Sequence, residues 1–130
     1  MFYEVQLTIP AGTLASAPVK ALMAVHPGKV HAVEVIFPDG CTWDVSVVIY
    51  LWSQQVWPSN PQAAFHGNNE RIAFSEDFLL DQKPFEFEVR GWAPGTRYEH
   101  VPIVRIGVLS ETLGVSDLIA MLSGALPAGS

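Results

Sequence analysis

Hydrophobic and polar residues alternate along most of the first 109 positions, which is the pattern of β-strands that bury one side. The densest stretch runs from Trp43 to Trp52, where β-branched and aromatic residues cluster and the second half is apolar on both sides. A strand that is apolar on both sides is usually central and covered on both sides. This stretch therefore predicts the middle strand of a β-sandwich.

Shorter alternating stretches predict further strands on either side of it. They lie at residues 2–9, 19–26, 30–37, 71–75, 85–92 and 101–108. Turn-forming residues separate them, most clearly at Pro38-Asp39-Gly40, and residues 62–70 and 76–83 are predicted to be loops. The connections are too short for crossover helices, which favours antiparallel pairing. The prediction for residues 1–109 is an all-β, antiparallel sandwich or jelly roll.

Residues 110–130 are predicted to form a C-terminal tail with one short helix, capped by Ser116. Four apolar residues share one side of that helix, namely Leu118, Ile119, Leu122 and Leu126. A helix this short is not stable in water by itself, so it must dock. The sequence leaves two places for it, on its own sandwich or on a neighbouring subunit.

The charge content changes the expected class of partner. Charged residues make up 15% of the chain, against roughly 25% in a typical domain, and the net charge is −6. A low charge content indicates either surface buried against neighbours or a β-rich protein with uncharged polar residues outside. The seven Lys and Arg are scattered, so no nucleic-acid partner is expected. We expect no membrane partner either, because no apolar run approaches the roughly 20 residues of a span.

Few residues suggest covalent or metal chemistry. The single cysteine, Cys41, excludes an intrachain disulfide and a cysteine-based metal site. His26 and His31 flank the predicted Pro27-Gly28 turn and could form a metal site with Glu34, but exposed hairpin residues explain them better. The start of the chain lacks a basic segment and alternates as a strand, so it is not expected to be a signal peptide.

The neighbouring carboxylates in the sequence can also be explained without a catalytic role. Glu86 and Glu88 share a strand side at a spacing that a glycosidase could use, but Arg90 continues the row, as in a solvated charge ladder. Glu76, Asp77 and Asp81 are typical of an ordinary acidic loop rather than a calcium site. We therefore expect a non-enzymatic protein with no cofactor and no metal.

Aromatic residues near strand ends are the main candidates for binding. They are Trp57, Phe65, Trp92 and Tyr98. Aromatic rings stack on sugars, and they also anchor protein interfaces. The alternative is that Trp57 and Trp92 close the two ends of the hydrophobic core. With the four apolar residues of the tail helix, these aromatics form the predicted interaction set.

Four segments resemble a family of small structural proteins from tailed bacteriophages and prophages. They read FYEVQLTIPAGTLASAPV, VEVIFPDGCTWDVSVVI, VWPSNPQAAFHGNNERIAF and PFEFEVRGWAPGTRYEHVPIVRIGVL. They span residues 2–109 and leave the tail outside. The resemblance implies a β-sandwich of the virion, either a capsid decoration or cement protein or a tail component, and it transfers no functional residues.

The leading expectation is thus a non-enzymatic virion protein, made in the host cytoplasm and located on the capsid surface or tail. It would bind the major capsid protein or other virion subunits, and would form a homo-oligomer such as a trimer. The alternative is a carbohydrate-binding module that attaches to host-surface glycans through exposed aromatic residues.

Overall fold

A computed structural model describes residues 1–110, and within them the chain forms nine β-strands. The strands are β1 (Phe2–Gln6), β2 (Val19–Ala24), β3 (Gly28–Phe37), β4 (Ser46–Leu51), β5 (Gln54–Trp57), β6 (Phe65–His66), β7 (Glu70–Leu80), β8 (Glu86–Trp92) and β9 (Ile103–Ser110). The predicted tail helix and its four apolar residues lie outside the described residues, so that prediction stays open.

The strands form two antiparallel sheets, which confirms the all-β sandwich. The first sheet has the order β1-β9-β3-β7 and the second the order β2-β8-β4-β5, with the short β6 also paired to β4. One cluster of buried apolar side chains receives residues from both sheets. The architecture therefore has two layers with a single core between them.

Alternating buried residues in the second half of β3 and the first half of β9 build the centre of the first sheet. Val33 is paired with Ile106 and Val35 with Val104, and all four side chains are fully buried. Cross-strand pairs of β-branched residues on one side of a sheet stabilise it through close side-chain contact. These strands follow the sequence prediction because every inward position is apolar.

The strand β4 is central in its sheet, as predicted, because β8 lies along one edge and β5 and β6 lie along the other. Two parts of the prediction were wrong. The strand does not begin at Trp43, and its outer side is not fully covered. Trp43 lies in the preceding turn with a positive φ of 67°, and it is 59% exposed. Trp52, at the other end, is 37% exposed, so the outer side of the strand is only partly covered.

The segment 76–83, predicted to be an acidic loop, begins instead as a continuation of a strand. The single strand β7 runs through Glu70–Leu80 because its alternation continues, with Phe74, Glu76 and Phe78 at successive inward positions. Glu76 is tolerated there because its Oε1 accepts a hydrogen bond from the indole N–H of Trp57 at 2.9 Å. The buried partner thus explains a charge at a core-facing position.

The predicted first strand divides into β1 and a separate bridge. Ile9 is bridged to His100, and the amide of Leu7 donates to the carbonyl of Pro102 at 3.0 Å. Leu7 and Ile9 then reach the second sheet at Gly91, where a Cβ would lie 2.6 Å and 2.5 Å from their terminal methyl carbons. A glycine suits this crossing because the two buried side chains occupy the space that a Cβ would take.

Candidate interaction surface

The outer side of the second sheet carries a group of exposed and half-buried apolar residues. Leu22 and Tyr50 are each paired with Glu88 in neighbouring strands, so the three side chains stand side by side on the outer side. Trp92 lies on the same side of β8, two residues beyond Arg90. We refer to Leu22, Tyr50, Trp52 and Trp92 as the aromatic face.

Trp52 is held in a fixed position although it is partly exposed. It forms the two-residue turn between β4 and β5 with Ser53, and their φ values are 53° and 65°. Turns of this kind usually contain Asn and Gly, because bulky residues rarely adopt a positive φ. The indole N–H lies 3.2 Å from the carbonyl oxygens of both Gln82 and Pro84 and donates to them. These bonds orient the ring before any partner arrives.

Tyr50 is oriented by a cation. The guanidinium carbon of Arg90 lies 3.9 Å from the centre of the Tyr50 ring, and Arg90 also forms an ion pair with Glu88. A guanidinium stacked on an aromatic ring is attracted by its electron-rich surface. Of the charge ladder predicted for Glu86, Glu88 and Arg90, the ion pair between Glu88 and Arg90 is therefore present.

A shallow cavity of about 170 Å³ opens in the aromatic face. Its lining combines apolar side chains, a hydroxyl and two carboxylates, contributed by Leu22, Tyr50, Trp52, Ser53, Pro84, Glu86 and Glu88. Among residues 1–110, Glu86 forms no ion pair. The cavity therefore offers aromatic surface beside a free carboxylate.

Trp43 extends this surface beyond the start of β4. Its ring meets the ring of His66 edge to face, with 6.2 Å between centroids. His66 is paired with Ser46, which is paired on its other side with Trp92. Exposed tryptophans thus lie near both ends of the same strand, one before it and one after it.

The structure separates the aromatic residues predicted to bind. Trp57 is 3% exposed and packs against Phe87, which matches the alternative that it closes the core. Phe65 is half-buried, with its ring 5.9 Å from that of Phe74. Trp92 is half-buried on the aromatic face. Tyr98 is 64% exposed but lies elsewhere, beside His100.

Sequence reasoning missed Leu22, Trp43 and Trp52 as members of the candidate interaction surface. Alternation predicts that Leu22 points outward but gives no reason to expect that it binds a partner. For the two tryptophans, it predicts a strand that is covered on both sides. One feature of the sequence could have indicated that the two tryptophans are exposed. They lie at the ends of the predicted strand, where turns begin. Turns lie on the surface and expose their side chains.

A second cavity, of about 210 Å³, lies beside the turns of residues 38–44 and includes Asp44, Tyr98 and His100 in its lining. Behind it, the sulfur of Cys41 lies 3.9 Å from Nδ1 of His100. Burial raises the pKa of the Cys41 thiol, and the charge of Asp39 raises it further. The thiol therefore stays protonated at neutral pH, whereas a cysteine nucleophile needs the thiolate.

Several of the residues considered for metal binding have other partners. In the described part of the chain, no group of three or more His, Cys, Asp or Glu is arranged to hold a metal ion. The ring of His31 meets that of Phe2 at 5.6 Å, and Glu34 pairs with Arg71 at 3.0 Å. Asp77 pairs with Lys29 at 3.0 Å.

Residues 1–110 contain no helix long and apolar enough to cross a lipid bilayer. Compared with protein-family models and with curated proteins, the chain matches neither a family nor a relative.

Proposed function

We propose that this protein is a non-enzymatic structural subunit of a virus particle, most simply a decoration or cement protein of a capsid. It would bind neighbouring subunits through the aromatic face. The proposal is supported by the resemblance of residues 2–109 to small structural proteins of tailed phages. A physical observation also supports it: several large apolar residues stay exposed, although the sandwich already has a core built from both sheets.

The observation that carries the proposal is the geometry of Trp52. Its backbone adopts a conformation unfavourable for a bulky residue, and its indole is held by two carbonyls while 37% of the residue stays exposed. Strained and oriented side chains at a surface are typical of functional positions. Tryptophan, tyrosine and arginine are the residues that most often dominate binding energy at protein interfaces.

The first sheet offers a second apolar surface on the opposite outer side of the sandwich. Leu79 and Leu109 are both paired with Lys29 and are 48% and 51% exposed. Phe2, on the same side, is 56% exposed. Apolar residues on both outer sides suit a subunit that contacts more than one neighbour.

Self-association is measured by light scattering of the full chain during size-exclusion chromatography over a roughly hundredfold range of concentration. The proposal expects an oligomer, such as a trimer, or a monomer that binds purified particles. Gradient-purified particles from the organism that encodes the chain are then probed with an antibody against it. A strict monomer that is also absent from particles would contradict the proposal.

A carbohydrate-binding module is the second candidate, favoured by the cavity beside Trp52. Sugar rings stack on aromatic rings, and their hydroxyl groups donate to carboxylates such as Glu86. This candidate predicts that Trp52→Ala or Trp92→Ala removes glycan binding without unfolding the domain. The core variant Trp57→Ala should instead reduce stability. No signal on a glycan array would exclude the candidate.

A further inference from the structure

The aromatic face already contains one place where a cation is bound between a ring and a carboxylate. Arg90 lies on the ring of Tyr50 and pairs with the carboxylate of Glu88. Each component contributes: the ring attracts the guanidinium through its quadrupole, and the carboxylate accepts charge-assisted hydrogen bonds. Arg90 is thus a cation whose aromatic and carboxylate partners both belong to this chain.

The same two components recur in the cavity next to this pair. Glu86 lies two residues before Glu88 on the same side of β8, and Trp52 lies two residues after Tyr50. Both Glu86 and Trp52 line the cavity. Here the ring and the carboxylate are present, but no cation of residues 1–110 pairs with Glu86.

The chain has few cations that could fill this place. Four of its seven Lys and Arg are in ion pairs, namely Lys29, Arg71, Arg90 and Arg105. The segment 111–130 contains no Lys or Arg. The other three, Lys20, Lys83 and Arg97, form no ion pair with Glu86 or with any other carboxylate in the described part of the chain. A second molecule is therefore the natural source.

We propose that the cavity between Trp52 and Glu86 receives an arginine side chain from a neighbouring protein subunit. This inference rests on the proposed function and names the chemistry of the partner. Arginine fits better than lysine, because a planar guanidinium can stack on the indole and pair with the carboxylate at once. The net charge of −6 also favours a basic partner surface.

The test is a titration followed by ¹H–¹⁵N NMR of the full chain, with the Trp52 indole N–H as the reporter. The titrants are the capped peptide Gly-Arg-Gly and the same peptide with citrulline, which has the shape of arginine without its charge. We expect a saturable shift of the indole signal with the arginine peptide, weakened by added salt. The citrulline peptide should bind roughly tenfold more weakly or not at all.

Two variants test whether Glu86 is the carboxylate that binds the arginine peptide. Glu86→Gln should weaken binding of the arginine peptide by roughly tenfold, whereas Glu99→Gln, an exposed carboxylate that does not line this cavity, should bind like the unmodified protein. Urea unfolding of each variant shows that the fold is retained. Equal shifts with both peptides, equal binding by Glu86→Gln, or no shift at all would overturn the proposal.

The outcomes also separate this inference from the proposed function. Saturable shifts with monosaccharides but not with arginine would overturn the arginine site and support the carbohydrate candidate. Absence of an arginine effect in a protein that still assembles or binds particles would overturn only the arginine site. An arginine site in a strict monomer absent from particles would leave the site standing and remove the virion role.

Discussion

The indole N–H of Trp57 donates to the carboxylate of Glu76 at 2.9 Å, and this bond joins the two sheets at one side of the sandwich. Trp57 ends β5 in the second sheet, and Glu76 lies within β7 in the first. Both strands are at sheet edges in the strand order. The ring of Phe78 packs edge-on against that of Trp57 at 5.7 Å, so the polar bond lies within an aromatic cluster.

Removing the acceptor in this pair should destabilise the fold. Glu76→Ala leaves a buried indole N–H without a partner, and such a group costs about 1–3 kcal/mol. Glu76→Gln keeps an oxygen acceptor and should lose less than about 1 kcal/mol. Urea unfolding of both variants measures the difference. Equal losses of free energy of unfolding would show that the hydrogen bond contributes nothing.

A charged row across the first sheet should make stability depend on pH. The hydrogen bond from Arg71 lowers the pKa of the Glu34 carboxyl, with further lowering by the charge of Arg105. Arg105 also pairs with Glu4 at 2.7 Å. Because the folded pKa lies below the unfolded one, the contribution is complete above the ordinary Glu pKa of about 4.3 and is lost as the pH falls through the folded value.

Glu34→Gln should therefore flatten the acid side of the stability curve. We expect the unmodified protein to lose more stability than the variant between neutral and acidic pH, measured by urea unfolding over that range. Glu99→Gln, an exposed carboxylate outside every ion pair among residues 1–110, is the matched control. Parallel curves for the unmodified protein and Glu34→Gln would contradict the assignment.

The crossing at Gly91 should not tolerate a methyl group. A Cβ there would lie 2.5 Å from the Cδ1 of Ile9, and Ile9 is itself fully buried. Gly91→Ala should cost about 1–3 kcal/mol through overpacking. Gly95→Ala is the control, since its nearest atom, in Asp44, would be 3.6 Å away. Thermal unfolding of the two variants measures this, and equal melting temperatures would contradict the close contact.

The exposed tryptophan before β4 should be unnecessary for folding. Trp43 has a φ of 67°, a conformation that glycine adopts without strain, and it is 59% exposed. Trp43→Gly should therefore leave the free energy of unfolding unchanged within about 1 kcal/mol, while it weakens self-association or particle binding. A large loss of stability with unchanged association would show that Trp43 serves the fold instead.

The sequence pattern was sufficient where alternation and turn residues agree. It predicted β3, the inward residues of β8 and β9, and the Pro38-Asp39-Gly40 turn, because each inward position is apolar. It failed at β7, because Glu76 at an inward position resembled the start of a loop. Only the tertiary contact with Trp57 makes that position compatible with a strand.

The candidate surface was less predictable than the fold. A local pattern shows that Trp43 and Trp52 are strongly β-forming, but it does not show the positive φ values that place them in turns. It identified Trp92 as a candidate but not the other residues of the aromatic face, since these come from two other parts of the chain, β2 and the end of β4. Trp57 shows the converse problem, because its position near a predicted strand end suited both a binding residue and a residue that closes the core, and only the structure shows that it packs in the core.

The central claim is that the aromatic face is buried against another protein subunit in the native particle. Hydroxyl-radical footprinting of Trp52 and Leu22 in purified particles and in the isolated chain tests it most directly, with Leu14, which is 57% exposed and does not line the cavity, as an internal comparison. The account predicts several-fold lower reactivity of Trp52 and Leu22 in the particle than in the isolated chain. Equal reactivity in both samples, in particles shown to contain the protein, would contradict it.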